Sequence, residues 1–77
     1  MKNVRAAIVL YMLYAINEKG KFSERDVIDA MSISRSTFFR ALADFRCYLM
    51  EYRPWESIEF DSQRNCYYLE DESLSMK

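Results

Sequence analysis

Residues 32–46 read SISRSTFFRALADFR, and this stretch decides the fold that we expect. Ser34 suits the N-cap of a helix, because its hydroxyl can accept a hydrogen bond from a free amide of the first turn. Pro54 ends that helix, because the residue before a proline is driven out of the helical region. Between these two points large apolar residues recur at i, i+4, i+7, i+11 and i+14, which predicts one buried stripe: Phe38, Leu42, Phe45, Leu49 and Tyr52.

Two further helices are predicted upstream of this one. Residues 24–31 form a short helix whose N-cap is Ser23, with Phe22 and Val27 placed as a hydrophobic staple around the cap. Residues 3–18 form a longer helix that ends in a turn, where Gly20 can adopt a positive φ without strain. Only three residues separate the second helix from the third, which is the spacing of a helix-turn-helix.

A β-hairpin is predicted downstream, where the apolar period changes from 3.6 to 2. The segments SIEF (57–60) and CYYL (66–69) read as strands joined by a loop of about five residues. Residues 71–77 are acidic and polar, so we expect a disordered tail after a single domain over residues 1–70. The predicted fold is mainly α with a small β-hairpin, a winged helix-turn-helix of three helices followed by a two-stranded wing.

The composition narrows the classes of function. The 77 residues include 51% hydrophobic residues, one glycine and one proline, which indicates a folded domain. The absence of histidine excludes Ser-His-Asp catalysis and imidazole zinc sites, so we expect neither an enzyme nor a cofactor or metal. Cys47 and Cys66 are 19 positions apart, and we interpret them as reduced thiols of a cytoplasmic protein, with a disulfide between them as the alternative.

The charge of the chain is divided unevenly along its length. The net charge is −1, but residues 1–54 hold nine Lys/Arg against six Asp/Glu, a balance of +3, while residues 55–77 hold two against six, a balance of −4. The run Ala6–Ile16 has eleven apolar residues, far fewer than the roughly 20 that cross a bilayer, so it predicts a buried helix.

The face of the third helix opposite the stripe carries the predicted chemistry. At 100° per residue it holds Ser36, Arg40, Ala43 and Cys47, with Thr37 and Phe39 on its flanks. Small side chains allow a helix to approach base edges in the major groove, and an arginine supplies the fork that binds guanine or phosphate. The alternative for each residue taken singly is ordinary: hydroxyls that cap the helix and an arginine in solvent.

The sequence also resembles a known family of DNA-binding domains. The run FSERDVIDAMSISRSTFFRALADFR (22–46) followed by IEFDSQRNCYYL (58–69) is similar to the N-terminal winged helix-turn-helix of WYL-domain and related DeoR-type bacterial transcription regulators. The resemblance covers about residues 7–69, and ISRSTFFR (33–40) is its most specific part. Ser32 replaces the turn glycine common in the family, Ile28 replaces a small residue, and the effector-binding domain has no counterpart in these residues.

The resemblance implies a small DNA-binding transcription regulator of bacterial or phage origin that binds operators, usually as a dimer. The expected DNA contacts are mostly hydroxyls and cations near the turn: Ser34, Arg35, Ser36, Thr37, Phe39 and Arg40, with Lys21, Arg25 and Arg64 peripheral. Acidic residues at the base of the wing would repel phosphate, so we expect the wing to be mainly structural, with Arg64 as its one contact. The acidic wing also favours an alternative, a winged-helix module that binds a protein rather than DNA.

The first helix is apolar on two faces. The family alignment places Val9, Met12, Leu13 and Ile16 inward, which leaves Val4, Ala7, Tyr11 and Tyr14 on the other side. Those tyrosines either cover the wing or the third helix within one monomer, or form a symmetric homodimer through this helix. We take the dimer as the working prediction, since it would also provide two DNA half-sites.

Overall fold

The computed structural model describes residues 4–71. Its elements, in chain order, are α1 (Val4–Lys19), β1 (Lys21–Phe22), α2 (Glu24–Met31), α3 (Arg35–Tyr52), β2 (Glu56–Asp61) and β3 (Cys66–Asp71). The described chain is thus mainly helical, with a small antiparallel sheet of strand order β1-β3-β2. The three predicted helices and the predicted hairpin are confirmed. The predicted start of the first helix at Asn3 and residues 72–77 of the predicted tail lie outside the described residues.

The sheet has one strand more than the sequence predicts. After α1, Gly20 adopts a φ of 81° and its amide bonds to the carbonyl of Ile16 at 2.8 Å, which ends the helix. The next two residues are extended and pair with β3, Lys21 opposite Tyr68 and Phe22 opposite Tyr67. The predicted two-stranded hairpin is therefore part of a three-stranded sheet. The sequence did not predict β1, because a two-residue strand leaves no alternation to detect.

Three serines lie at the ends of α2 and α3. The Ser23 hydroxyl accepts the amide hydrogen of Asp26 at 3.0 Å, and the Ser34 hydroxyl accepts that of Thr37 at 3.2 Å, so both predicted N-caps are confirmed. Between them Ser32 ends α2 with a φ of 55°, in the left-handed region that favours glycine. The tight turn that this φ allows leaves only three residues between α2 and α3.

The core lies between α3, α1 and the inner face of the sheet. α3 buries Phe38, Ala41, Leu42, Phe45 and Leu49, so four of the five predicted stripe residues are confirmed. Tyr52 is the exception: it is 66% exposed, because the last residue of α3 lies past the core and contacts the ring of Tyr48 instead, at 5.3 Å between centroids.

α1 meets the core partly through the predicted residues. Of the four predicted inward residues, Met12 is fully buried, while Val9, Leu13 and Ile16 are half-buried against the core. The other buried positions of α1, Ile8 and Ala15, were not predicted. Tyr11, expected on the outward face, is also half-buried against the core, because it lies three residues after Ile8 and four before Ala15. Val4, Ala7 and Tyr14 are exposed as expected.

Three remaining features concern the thiols, membrane insertion and the last residue of β3. Cys47 and Cys66 are both free, the first exposed and the second buried. Within residues 4–71, no helix combines the length and the apolar character needed to cross a bilayer. β3 continues to Asp71, the first residue of the predicted tail.

Candidate nucleic-acid interface

The outward face of α3 is open to solvent along its length. Ser36, Arg40, Ala43 and Cys47 are all exposed, while the buried residues of α3 point to the opposite side. Three of the four exposed side chains are small, so the helix backbone can come close to a flat or grooved partner. Arg40 is the one long side chain among them.

Arg40 is available to bind a ligand. Within residues 4–71 its guanidinium has neither an ion pair nor a hydrogen bond, whereas Arg5, Arg35, Arg53 and Arg64 are each paired with a carboxylate. An unpaired guanidinium on an exposed helix can form a bidentate contact without first losing an internal partner.

The hydroxyls at the start of α3 are already engaged with one another. The Ser34 hydroxyl accepts the Thr37 amide hydrogen, donates to the Thr37 hydroxyl at 3.1 Å and lies 3.2 Å from that of Ser36. These contacts fix the first turn of α3. They also show that capping accounts for Ser34 and Thr37, while Ser36 keeps bonding capacity toward solvent.

Arg35 is held within the chain, unlike Arg40. Its Nε donates to the Glu24 carboxylate, and its guanidinium carbon lies 5.4 Å from the centroid of the Phe39 ring. The hydrogen bond and the charge of Glu24 raise the pKa of Arg35 above its ordinary value. Arg35 and Arg40 are five residues apart and therefore about 140° apart around the helix. The two arginines do not share a face.

The hairpin turn carries the remaining predicted wing contact. The Asp61 carboxylate accepts the amide hydrogens of Gln63 at 3.0 Å and Arg64 at 3.3 Å, and Asn65 completes the turn with a φ of 58°. The Arg64 side chain is mainly solvent-exposed, and its Nε is 3.9 Å from Asp61. Arg64 is thus positioned by a rigid turn but only loosely paired.

The predicted contacts fall into three groups rather than one. Ser36, Arg40 and the small residues form the outward face of α3. Arg25 and Arg35 line a groove of about 370 Å³ between α2, α3 and Asn65 of the hairpin turn. Lys21 and Arg64 line a second groove of about 350 Å³ that shares no lining residue with the first. The two peripheral groups therefore belong to different grooves, although residues of the hairpin turn line both.

Sequence reasoning missed several residues that line these grooves, among them Lys19, Glu24 and Asn65. Lys19 lies with Lys21 and Arg64 in the second groove, and its pairing with Lys21 on either side of Gly20 was a readable signal. Glu24 and Asn65 line the first groove with Arg35, and no local pattern indicated them, because only the tertiary fold brings these residues to one groove. Among the described residues, no three Cys, Asp or Glu side chains are grouped so that they could hold a metal ion.

Comparisons with protein-family models, with curated proteins and with solved structures found no match to this chain. The interpretation of the site therefore depends on its own geometry and on the sequence pattern.

Proposed function

We propose that this chain is a small sequence-specific DNA-binding transcription regulator of the winged helix-turn-helix type, which inserts α3 into the major groove. The observation that carries the proposal is the outward face of α3, where unpaired Arg40 lies among small exposed residues. The short turn between α2 and α3 and the resemblance of residues 22–46 to DeoR-type regulators support it.

The dimensions of α3 suit this role. Its 18 residues extend about 27 Å, and the major groove is about 12 Å wide. Ser36, Ala43 and Cys47 leave the helix narrow on the side that would face the bases. Arg40, in the middle of that side, is placed to donate two hydrogen bonds to a guanine edge.

The cations beside the hairpin turn would act on the DNA backbone rather than on bases. Lys19, Lys21 and Arg64 border one groove and lie outside the α3 face, so their contribution is neutralisation of phosphates. Asp61 lies among them and reduces the local positive charge. We therefore expect modest affinity from one monomer, since affinity without sequence preference scales with the number of phosphates neutralised.

A homodimer through α1 belongs to the same proposal. Leu10 and Tyr14 are 65% and 59% exposed, and the outward face of α1 between Ala6 and Tyr14 carries no charged residue. The face is self-complementary in size: antiparallel pairing about Leu10 places Ala6 opposite Tyr14 of the second copy and Ala7 opposite its Leu13. Sedimentation at micromolar concentration should then give twice the 9.3 kDa of the chain. A mass of one chain at that concentration would remove the dimer.

A protein-binding module is the second candidate function. The end of α3 and the turn after it expose three large apolar side chains within six residues, Met50, Tyr52 and Trp55, and exposed apolar surface of this kind favours a contact with a protein. Salt distinguishes the two candidates. Binding to DNA weakens steeply between low and physiological salt, whereas an apolar protein contact changes little.

The decisive test is selection from a random duplex library, followed by titration of the selected duplex with variants. Arg40→Ala should weaken binding by about 1–3 kcal/mol, or roughly 5- to 150-fold, if Arg40 contacts a base. Arg46→Ala is the matched control, because Arg46 is exposed on the same helix about 120° from Arg40. Equal titration curves for the two variants, or no enriched sequence, would overturn the proposal.

Alkylation of the two thiols provides a second test, which uses the chain without any substitution. Cys47 lies on the outward face of α3 and Cys66 is buried, so an alkylating reagent should modify Cys47 first. Bound duplex should slow that modification if α3 enters the groove. Unchanged labelling of Cys47 at saturating duplex would place the DNA elsewhere on the molecule.

A further inference from the structure

The first residues of α2 and α3 are joined across the turn between them. Glu24 begins α2 and Arg35 begins α3, and the Arg35 Nε donates to the Glu24 carboxylate. The Glu24 side chain is only 27% exposed, whereas that of Arg35 is 74% exposed. The carboxylate is therefore the anchored partner, and the guanidinium is the partner that can turn toward solvent.

Phe39 fixes the same guanidinium from a second side. Its ring lies one helical turn after Arg35, 5.4 Å from the guanidinium carbon. The ring itself is held edge-on by buried Phe38, at 5.0 Å between centroids. Arg35 is thus held at a defined place by a carboxylate and an aromatic face.

The groove around this pair has balanced charge. Two arginines and two carboxylates line it together with an apolar and an amide side chain: Glu24, Arg25, Ile28, Asp29, Arg35 and Asn65. A DNA phosphate that approaches this groove meets two cations, but it also meets two carboxylates, one of which already occupies Arg35. DNA that approaches without sequence preference therefore gains no contact with Arg35.

We propose that Glu24 is a specificity-determining residue of the DNA interface. Its carboxylate takes the place of a DNA phosphate as the partner of Arg35 until α3 is seated in the major groove of the selected sequence. This inference rests on the proposed function. In a docked complex the backbone phosphate next to the start of α3 replaces the carboxylate as the partner of Arg35. On an unrelated sequence α3 does not seat, Glu24 keeps Arg35, and the complex has one phosphate contact fewer.

The test is a binding cycle with Glu24→Gln, Arg35→Ala and the double variant, measured on the selected duplex and on a scrambled duplex of equal length. Glu24→Gln should tighten binding to the scrambled duplex about fivefold at low salt and should tighten binding to the selected duplex less. The slope of log affinity against log salt on the scrambled duplex should steepen by about one phosphate contact. In the Arg35→Ala background the same substitution should change neither affinity by more than about twofold.

Asp29→Asn is the matched control, because Asp29 lies in the same groove and on the same helix and forms no ion pair with Arg35. It removes the same charge, so an equal effect of the two variants would overturn the proposal in favour of general repulsion. Weaker binding of Glu24→Gln to both duplexes, or an effect that persists without Arg35, would also overturn it. Absence of duplex binding by the unsubstituted chain would overturn the proposed function itself, and this inference with it.

Discussion

The outward faces of α1 and α3 differ in chemistry although both are exposed. α3 presents serine, alanine, cysteine and one unpaired arginine, all of which water or DNA can accommodate. α1 presents Leu10 and Tyr14 beside alanines, a surface that gains free energy when water is excluded. Exposure by itself therefore does not define a functional surface. The proposed roles follow this difference: a polar ligand is proposed for α3 and an apolar partner for α1.

The largest expected effect separates the two faces of α3 itself. Phe38 is fully buried and contacts the rings of Phe22 and Tyr67, so Phe38→Ala should lower the free energy of unfolding by about 3–5 kcal/mol. Phe39→Ala, one residue on and 41% exposed, should lower it by about 1 kcal/mol or less. Urea denaturation followed by circular dichroism measures both.

Because Phe38→Ala removes much of the stability of a domain this small, Phe38→Leu provides a milder variant that should stay folded. Equal losses for the Phe38 and Phe39 variants would show that the assignment of the inward and outward faces is wrong.

The next effect tests whether the α1 face is covered by a second copy. Leu10→Glu places a charge at the centre of the proposed two-fold contact and should weaken the dimer by at least tenfold, since an unpaired charge would be buried. Sedimentation equilibrium across a concentration series measures this change. Ala43→Glu on α3 is the comparison: it should leave the mass unchanged and weaken binding to the selected duplex. If both variants lower the mass alike, the two faces do not have separate roles.

The smallest effect concerns the turn between the two helices of the motif and touches neither face. Ser32 has a φ of 55°, so Ser32→Gly should relieve strain and raise the free energy of unfolding by about 0.5–1 kcal/mol. For a domain of this size that corresponds to an increase in melting temperature of about 2–8 °C. Ser62→Gly, in the hairpin turn at an ordinary φ, should give no increase. A lower melting temperature for Ser32→Gly would contradict the strain argument.

Local patterns in the sequence were sufficient for the helices and their ends. Ser23 and Ser34 were readable as caps because an N-cap depends only on a hydroxyl and the amides that follow it. The apolar period of α3 identified its buried face. Arg40 lies on the opposite side of the helix, so its exposure followed from the same period. Gly20 was readable as a helix end for a similarly local reason. The apolar period of α3 predicted wrongly that Tyr52 is buried, because a period does not indicate where the elements that pack against the helix end.

Only the tertiary structure decided which residues meet across the sequence. β1 is two residues long and is a strand because it pairs with β3, so the strand propensity of its own residues did not predict it. Arg35 is paired because α2 and α3 start side by side, although 11 positions separate it from Glu24. Of the buried residues of α1, Met12 was predicted but Ile8 and Ala15 were not, since a helix that is apolar all round does not indicate the side on which its neighbours pack. Short-range hydrogen bonds and the apolar period depend on neighbouring residues and can be predicted from the sequence. Pairing between residues distant in the sequence depends on the tertiary packing of the whole domain.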